Sequence, residues 1–335
     1  MDKIILITGV SGEVGIGLLD KLSKSTTKVV GLDVNEVNKD YRNKLFKFIK
    51  LDITDSGELD KLFAKYKFDT IYHLAALLST SAEKNPENAH KINVDGTFNL
   101  LTLANKYAQK RKSVTKFIFP STIAVYGMGN LKNKNKFTSV KENEFLTPIT
   151  MYGVNKLYCE SLGNYISNYY KLLENNKRYL DFRAVRFPGL LSALTTPTGG
   201  TSDYAPEMIH YAAKGESYAC FVRNTSTIGF MAMPDAVNAL LTIASSSKNR
   251  LTQYVYNVAS FSVSADEIKK QVEKYFPGAK ISYRIDAKRQ SIVDSWPQST
   301  NDQAARRDWN WKPKYTFSKT FGEYLIPTIK LKYQK

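Results

Sequence analysis

A glycine triplet set between a strand and a helix constrains this chain more than any other feature. Residues 3–8 form a nearly continuous apolar run, read as a buried parallel strand. Thr8-Gly9-Val10-Ser11-Gly12-Glu13-Val14-Gly15 follows and leads into an amphipathic stretch from Glu13 to about Lys24. Glycines at 9, 12 and 15 let the backbone turn sharply. They also let a pyrophosphate approach a helix N-terminus, where free N–H groups and the helix dipole favour an anion. In this strand-turn-helix setting the triplet predicts a dinucleotide-binding turn.

The rest of the chain continues the alternation. Strands are expected at 29–33, 46–51, 69–74, 116–119 and 182–187, with helices over about 86–112 and 150–173 between them. This pattern predicts an α/β fold with a doubly wound parallel sheet. In such sheets ligands bind outside the carboxyl ends of the strands. Gly9, Asp33, Asp52, Ala75, Thr122 and Pro188 each fall at or just past an expected strand end. Residues 128–147, polar and lysine-rich, read as an exposed loop. Beyond Pro188 the chain turns to Gly, Thr and Pro-rich loops, with helices near 203–214, 234–246 and 264–276 and strands near 255–258 and 280–285. We expect a dinucleotide domain over 1–187, with later returns near 230–258. A smaller, interleaved substrate lobe is expected from 188–229 and 259–315.

Composition removes several classes of function. At 335 residues the chain can bury a large core, and no apolar run approaches the roughly 18 residues of a membrane span. The opening Met1-Asp2-Lys3 and its short apolar run are expected to be structural, with no targeting segment. Cys159 and Cys220 form no C-x-x-C motif, which favours a cytosolic (cytoplasmic) setting over a disulfide framework. His73, His90 and His210 are scattered singly, so no metal site is expected. The net charge of +17 suits either an acidic partner or a surface of solvated lysines. The basic clusters at 110–112 and 132–136 carry no interleaved aromatics on a nucleic-acid module, so neither a nucleic-acid nor a membrane partner is expected.

The chemistry centres on Tyr152-Gly153-Val154-Asn155-Lys156. A tyrosine and a lysine four apart share one helix face. A phenol of pKa about 10 is a poor base at neutral pH, and a fixed ammonium nearby is expected to lower that value. Such a tyrosine can take a proton from an alcohol while a hydride leaves the same carbon. Asp33 lies 18 residues after Gly15, the position that accepts hydrogen bonds from ribose hydroxyls and disfavours a 2′-phosphate, so NAD is expected over NADP. A turn or cap aspartate is its alternative reading. Asp52-Ile53 suits the adenine edge, and Asp52 is equally at home as a turn residue. Asn93, unfavourable inside a helix, suggests a kink or a proton relay.

Together, Thr8-Gly9-x-x-Gly12-x-x-Gly15, His73-Leu74-Ala75-Ala76, Asn93, Ser121-Thr122 and Tyr152-x-x-x-Lys156 resemble the extended short-chain dehydrogenase/reductase superfamily, relatives of UDP-galactose 4-epimerase. The second half adds Arg186-Phe187-Pro188-Gly189-Leu190, residues 199–205, Met231 to Ala236, Ser295-Trp296-Pro297 and Ala305 to Trp311. These look like the L-threonine 3-dehydrogenase family of that superfamily, over nearly the whole chain. The resemblance implies a Rossmann fold and a catalytic set of Thr122, Tyr152, Lys156 and Asn93, with Ser121 assisting. It implies an NAD site drawing on Gly9, Gly12, Glu13, Val14, Asp33, Asp52 and Ile53, then on Leu74, Ala75, Ala76, Asn93, Tyr152, Lys156 and Pro188. It implies a substrate pocket for L-threonine lined by Ser79, Ser121, Thr122, Tyr152, Thr201, Asp203 and Trp296. Ser79 and Thr201 suit the carboxylate of a zwitterion, Asp203 its ammonium, and Trp296 the exclusion of water.

Blander readings stand beside these. Thr201 to Asp203 also make a good helix start, with Ser202 or Asp203 as N-cap, Trp296 suits a core, and Pro188-Gly189 ends a strand. The resemblance further implies a homodimer through helices 86–112 and 150–173. The chain departs from the family pattern at Pro197-Thr198-Gly199-Gly200, at Thr225 to Phe230, and in the length of 128–147. A nucleotide-sugar epimerase or dehydratase on the same fold is the first rival, and a non-catalytic NAD-binding protein the second.

Overall fold

The structure is a computed structural model that describes residues 3–174, 177–196 and 200–333. Pro197, Thr198 and Gly199, part of the divergent glycine loop, lie outside the described residues. Seven strands form the central sheet: β1 (Ile4–Thr8), β2 (Lys28–Asp33), β3 (Lys47–Lys50), β4 (Thr70–His73), β5 (Thr115–Thr122), β6 (Leu180–Phe187) and β7 (Val255–Asn257). Their spatial order is β7-β6-β5-β4-β1-β2-β3, and every pairing is parallel. The order reverses between β1 and β4, which opens a crevice at their carboxyl ends. The expected doubly wound sheet is therefore present, and residues 255–257 return to it.

The sheet is buried on both faces, as its strand sequences require. Both alternating sets of β6 are buried, charged residues included. One face packs against α1 (Glu13–Leu22) and the helix Met233–Ser245, with Leu18, Leu19, Val237 and Leu240 in the shared core. Ala304, Ala305, Trp309 and Trp311 complete that layer. The other face carries α2 (Gly96–Arg111) and α3 (Met151–Asn168), and its core holds Leu100, Leu101, Phe117, Phe119 and Ile166. Thr150 starts α3 cleanly, because its hydroxyl accepts the N–H of Gly153 at 3.2 Å.

A second lobe sits over the carboxyl edge. It contains a three-stranded sheet in which Thr227–Ala232 lies between Phe261–Ser264 and Gly189–Leu191, and a parallel pair, Ser217–Cys220 with Lys280–Tyr283. Its core joins Ile123 to Met128 with Tyr204, Phe230 and Trp296. No helix among the described residues is long and apolar enough to cross a membrane.

One expectation needs refinement and one correction. Residues 86–111 are helical throughout as expected, but Pro86–His90 passes through a π turn, Lys91–Asp95, before α2 begins. Residues 128–147 are not an exposed loop. Leu131–Lys136 is helical, Ser139–Val140 pairs with Ser299–Thr300, and Lys134 is 3% exposed. The Lys134 ammonium donates to the carbonyl of Val293 at 2.8 Å, at the C-terminal turn of the helix Ala287–Ser295. A lysine can be buried there because its stem packs while its head satisfies a helix-end carbonyl.

Candidate active site

Close approach of β1 and β4 shapes the crevice. Gly9 has φ +70°, and a Cβ on it would lie 2.7 Å from the nitrogen of Ala75. A Cβ on Gly15 would lie 2.5 Å from the carbonyl of Gly9. Gly12 instead is the exposed N-cap of α1, so the turn is tight below and open above. That is the shape an approaching pyrophosphate needs. Asp33 ends β2 and is 7% exposed. Its carboxylate accepts the N–H of Ser11 at 3.0 Å and of Asn35 at 2.9 Å. Two of its roughly four acceptor positions remain for a ligand. Asp52 closes a turn onto the N–H and hydroxyl of Thr54, at 2.8 and 2.9 Å. The Ile53 side chain is buried under Gly96, whose Cβ would meet it at 2.6 Å. Val14 lies partly buried against the α1 core, and Glu13 accepts a hydrogen bond from the hydroxyl of Thr195.

A directed chain of hydrogen bonds runs behind this crevice. The N–H of Ala75 donates to Thr8 Oγ1 at 3.3 Å, and Thr8 Oγ1 lies 2.8 Å from His73 Nδ1. His73 Nε2 lies 2.8 Å from Thr97 Oγ1, which donates to the carbonyl of Asn93 at 2.5 Å. Thr97 thus spends its proton on Asn93, so the network assigns the proton of His73 to Nε2. Burial, helped by the Lys156 ammonium, pulls His73 down to about 3, so the ring is neutral. Leu74 is tied back by its N–H to Thr8. The Asn93 carboxamide accepts the N–H of Leu77 at 2.8 Å and donates to its carbonyl at 3.0 Å. It also reaches Asn155 of α3 at 3.4 Å. Asn93 therefore does sit at a helix irregularity, the π turn, and uses it to clamp the Ala75–Leu77 segment.

Thr122 ends β5, and its hydroxyl accepts the N–H of Ala124 at 3.1 Å, leaving its own proton to donate. Strand alternation points Ser121 to the opposite face, the one shared with Phe119. The Ser121 hydroxyl is buried without a partner among the described residues. On α3, Lys156 is 4% exposed, and its ammonium donates to the carbonyl of Pro120 at 2.8 Å and lies 4.3 Å from the Phe119 ring centroid. Burial pulls it to about 8, against the opposing pull of Cys159 and Glu160. The Tyr152 ring centroid is 5.7 Å from that ammonium, and its hydroxyl has no hydrogen-bond partner among the described residues.

The expected depression of the tyrosine is corrected here. Burial pushes the Tyr152 phenol well above its ordinary value. Lys156 is spent on a carbonyl and two ring faces, and so does not offset that burial.

The expected substrate residues meet only in part. Thr201 donates to Ser79 Oγ at 3.3 Å across the lobe boundary, and both are buried. Asp203 occupies the N-cap position of Tyr204–Lys214, and its carboxylate accepts the N–H of Gly200 at 2.6 Å. Arg289 donates to the carbonyl of that same Gly200 at 2.8 Å. Trp296, 5% exposed, sits in the core of the second lobe. Pro188 directly follows β6 and lines a small cavity with Ile123, Gly229 and Pro297.

Sequence reasoning missed the charged joint behind α3. Arg186 and Glu160, each 1% exposed, form two parallel bonds of 2.9 and 2.6 Å. Arg186 also donates to the Tyr126 hydroxyl and to the carbonyl of Glu142, at 2.9 and 2.7 Å. Arg186, beside Asp181 and Arg183 in a strand expected to be buried, was the available signal, since such a charge demands a buried partner.

This geometry defines a doubly wound dinucleotide enzyme with a tyrosine–lysine pair on the helix packed against β5. The chain belongs to the NAD-dependent epimerase/dehydratase family, whose match spans residues 5–259. An uncharacterized epimerase/dehydratase of Staphylococcus saprophyticus is 34% identical over 94% of each chain. A monomeric L-threonine 3-dehydrogenase from a metagenome superposes with a TM-score of 0.85, at 35% identity over 98% of this chain and 99% of that one. L-threonine dehydrogenase from Clostridium difficile superposes equally well, with a TM-score of 0.85 at 32% identity over 99% and 98% of the two chains.

Proposed function

We propose that the chain oxidises the 3-hydroxyl of L-threonine to give 2-amino-3-oxobutyrate, with NAD as hydride acceptor. One observation carries the reading. The unpartnered Tyr152 hydroxyl and the Lys156 ammonium share one face of α3, and that ammonium is anchored on the Pro120 carbonyl near the end of β5, within a fold whose solved relatives include L-threonine 3-dehydrogenases. The cradle suits the cofactor: the Gly9–Gly15 turn admits no Cβ below, and Asp33 closes the β2 end against a 2′-phosphate. Bound NAD supplies the acceptor for the hydride leaving the substrate carbon.

The protein's own residues do the rest. Thr122 donates its free proton to the substrate hydroxyl oxygen and positions it. Tyr152 first gives its own phenol proton to solvent and then, as phenolate, takes the hydroxyl proton; its raised proton affinity makes that phenolate a strong base. Lys156 holds its charge beside that phenol. Asn93 and His73 fix the floor under the cofactor. Ser79 and Thr201 face the carboxylate of the substrate, with Asp203 nearby for its ammonium. The dimer implied by the resemblance would use the outer faces of α2 and α3, where Phe98, Val154, Tyr158 and Tyr165 are exposed. The mass of the protein in solution checks that.

The test is NADH formation from L-threonine and NAD, with NADP, L-serine and UDP-sugars in parallel. NADH from L-threonine alone supports the reading. A well-folded protein that binds NAD, ignores L-threonine and converts a UDP-sugar overturns it in favour of the nucleotide-sugar reading.

A further inference from the structure

Glu13 is the first residue of α1 and the one acidic residue in the glycine turn. It is partly buried, and its carboxylate accepts the hydroxyl proton of Thr195 from the second lobe. Among the described residues no lysine, arginine or histidine pairs with it. The titratable groups facing it are Asp203, at the head of Tyr204–Lys214, and the Tyr324 phenol, from the turn Thr320–Leu325. Burial above all, with Asp203 adding to it, holds Glu13 above the ordinary carboxylate range, and the Thr195 hydroxyl pulls the other way.

A pyrophosphate docking on the N–H groups of the first turn of α1 would bring two negative charges to a place that already holds a carboxylate and, among the described residues, no paired cation. Like charges sharing a site drive the titratable one toward its neutral form. Pyrophosphate diesters do not take up a proton near neutrality, so the carboxylate must. Resting on the NAD reading above, we propose that Glu13 takes up a solvent proton when the dinucleotide binds and releases it when the dinucleotide leaves. Thr195 lies in the segment that leads to Thr201, so this proton arrives where the cofactor turn meets the substrate segment.

The linkage has a definite sign. Below the pKa of Glu13 in the free protein, NAD affinity is flat with pH. Above it, affinity falls by about tenfold per pH unit, until the raised pKa of the complex is passed and the curve flattens again.

Titration calorimetry of NAD, run in two buffers of different ionisation enthalpy across a pH series, reads the proton directly. The wild type is expected to take up as much as one proton. Glu13→Gln is expected to take up none, and to bind NAD more tightly at the alkaline end, by about tenfold for each unit by which NAD raises the pKa of Glu13. Thr195→Val removes the hydrogen bond that lowers Glu13, so the window of uptake moves to higher pH. NAD binding without uptake by the wild type overturns the proposal and leaves the cofactor reading standing, as does equal uptake by Glu13→Gln. A folded wild type that binds no NAD at all removes both.

Discussion

Asp33, His73 and Asn93 are held by groups at neighbouring strand ends of one sheet and in the helix packed on it, through bonds of 2.8 to 3.0 Å from Ser11, Asn35, Thr8, Thr97 and Leu77. Thr201, Asp203 and Trp296 are held differently. Thr201 meets Ser79 across 122 residues, Arg289 reaches Gly200 across 89, and Trp296 rests in a core assembled from both halves of the chain. On the sheet side, parallel register and the helix packed against it bring the groups together, so the cofactor crevice is built into the fold. On the lobe side, the pocket exists only where separate segments meet. Between them lies the joint of Arg186 with Glu160, which binds β6 to α3. Damage on the sheet side should therefore strike the chemical step, damage at the joint should strike stability, and damage in the lobe should strike substrate affinity.

The largest effect tests the sheet side. Tyr152→Phe removes a hydroxyl that bonds to nothing among the described residues, so the fold and NAD affinity should survive. Turnover should fall by about 10²–10⁴-fold, the usual worth of a positioned acid–base group. Stopped-flow or steady-state kinetics beside NAD calorimetry measures both quantities. Turnover kept within a few fold would mean that Tyr152 is not the base, and the comparison would lose its catalytic pole.

The joint comes next. Glu160→Ala leaves the buried Arg186 guanidinium without its carboxylate, which should cost about 3–5 kcal/mol in urea unfolding with an unchanged slope. Adding Arg186→Met should recover much of that loss, because an apolar pair of similar volume often replaces a buried ion pair at little cost. A Glu160→Ala protein of wild-type stability would show that β6 and α3 are fastened elsewhere.

The sequence made the sheet side legible for the same reason that the sheet side is robust. Hydrophobic runs of strand length, glycine spacing and acidic residues at run ends are local signals, and β1, β2, β5 and β6 fell within a few residues of their expected places. The lobe was legible only through resemblance, because the meeting of Ser79 with Thr201 leaves no local trace. Three features could not be read from local pattern. The π turn at Lys91–Asp95 keeps helical composition, so 86–112 showed its helix and not the π turn inside it. Lys134 is buried through a carbonyl 159 residues away, which a polar, lysine-rich stretch does not announce. The Tyr152 proton affinity depends on burial and on where Lys156 spends its ammonium, and four-residue spacing reports neither.

The smallest effect probes the lobe. Thr201 is 4% exposed, and its hydroxyl donates to Ser79 at a long 3.3 Å. Thr201→Val keeps the shape and removes that donor. A hydrogen bond of net worth about 0.5–1.5 kcal/mol corresponds to a rise of about two- to twelvefold in KM for the amino acid. The maximal rate and NAD affinity should stay near wild type, since neither α3 nor the glycine turn is touched. Thr201 could instead only stitch the two lobes together. In that case thermal stability would drop while KM stayed fixed, and the boundary between substrate pocket and lobe joint would have to be redrawn around Ser79.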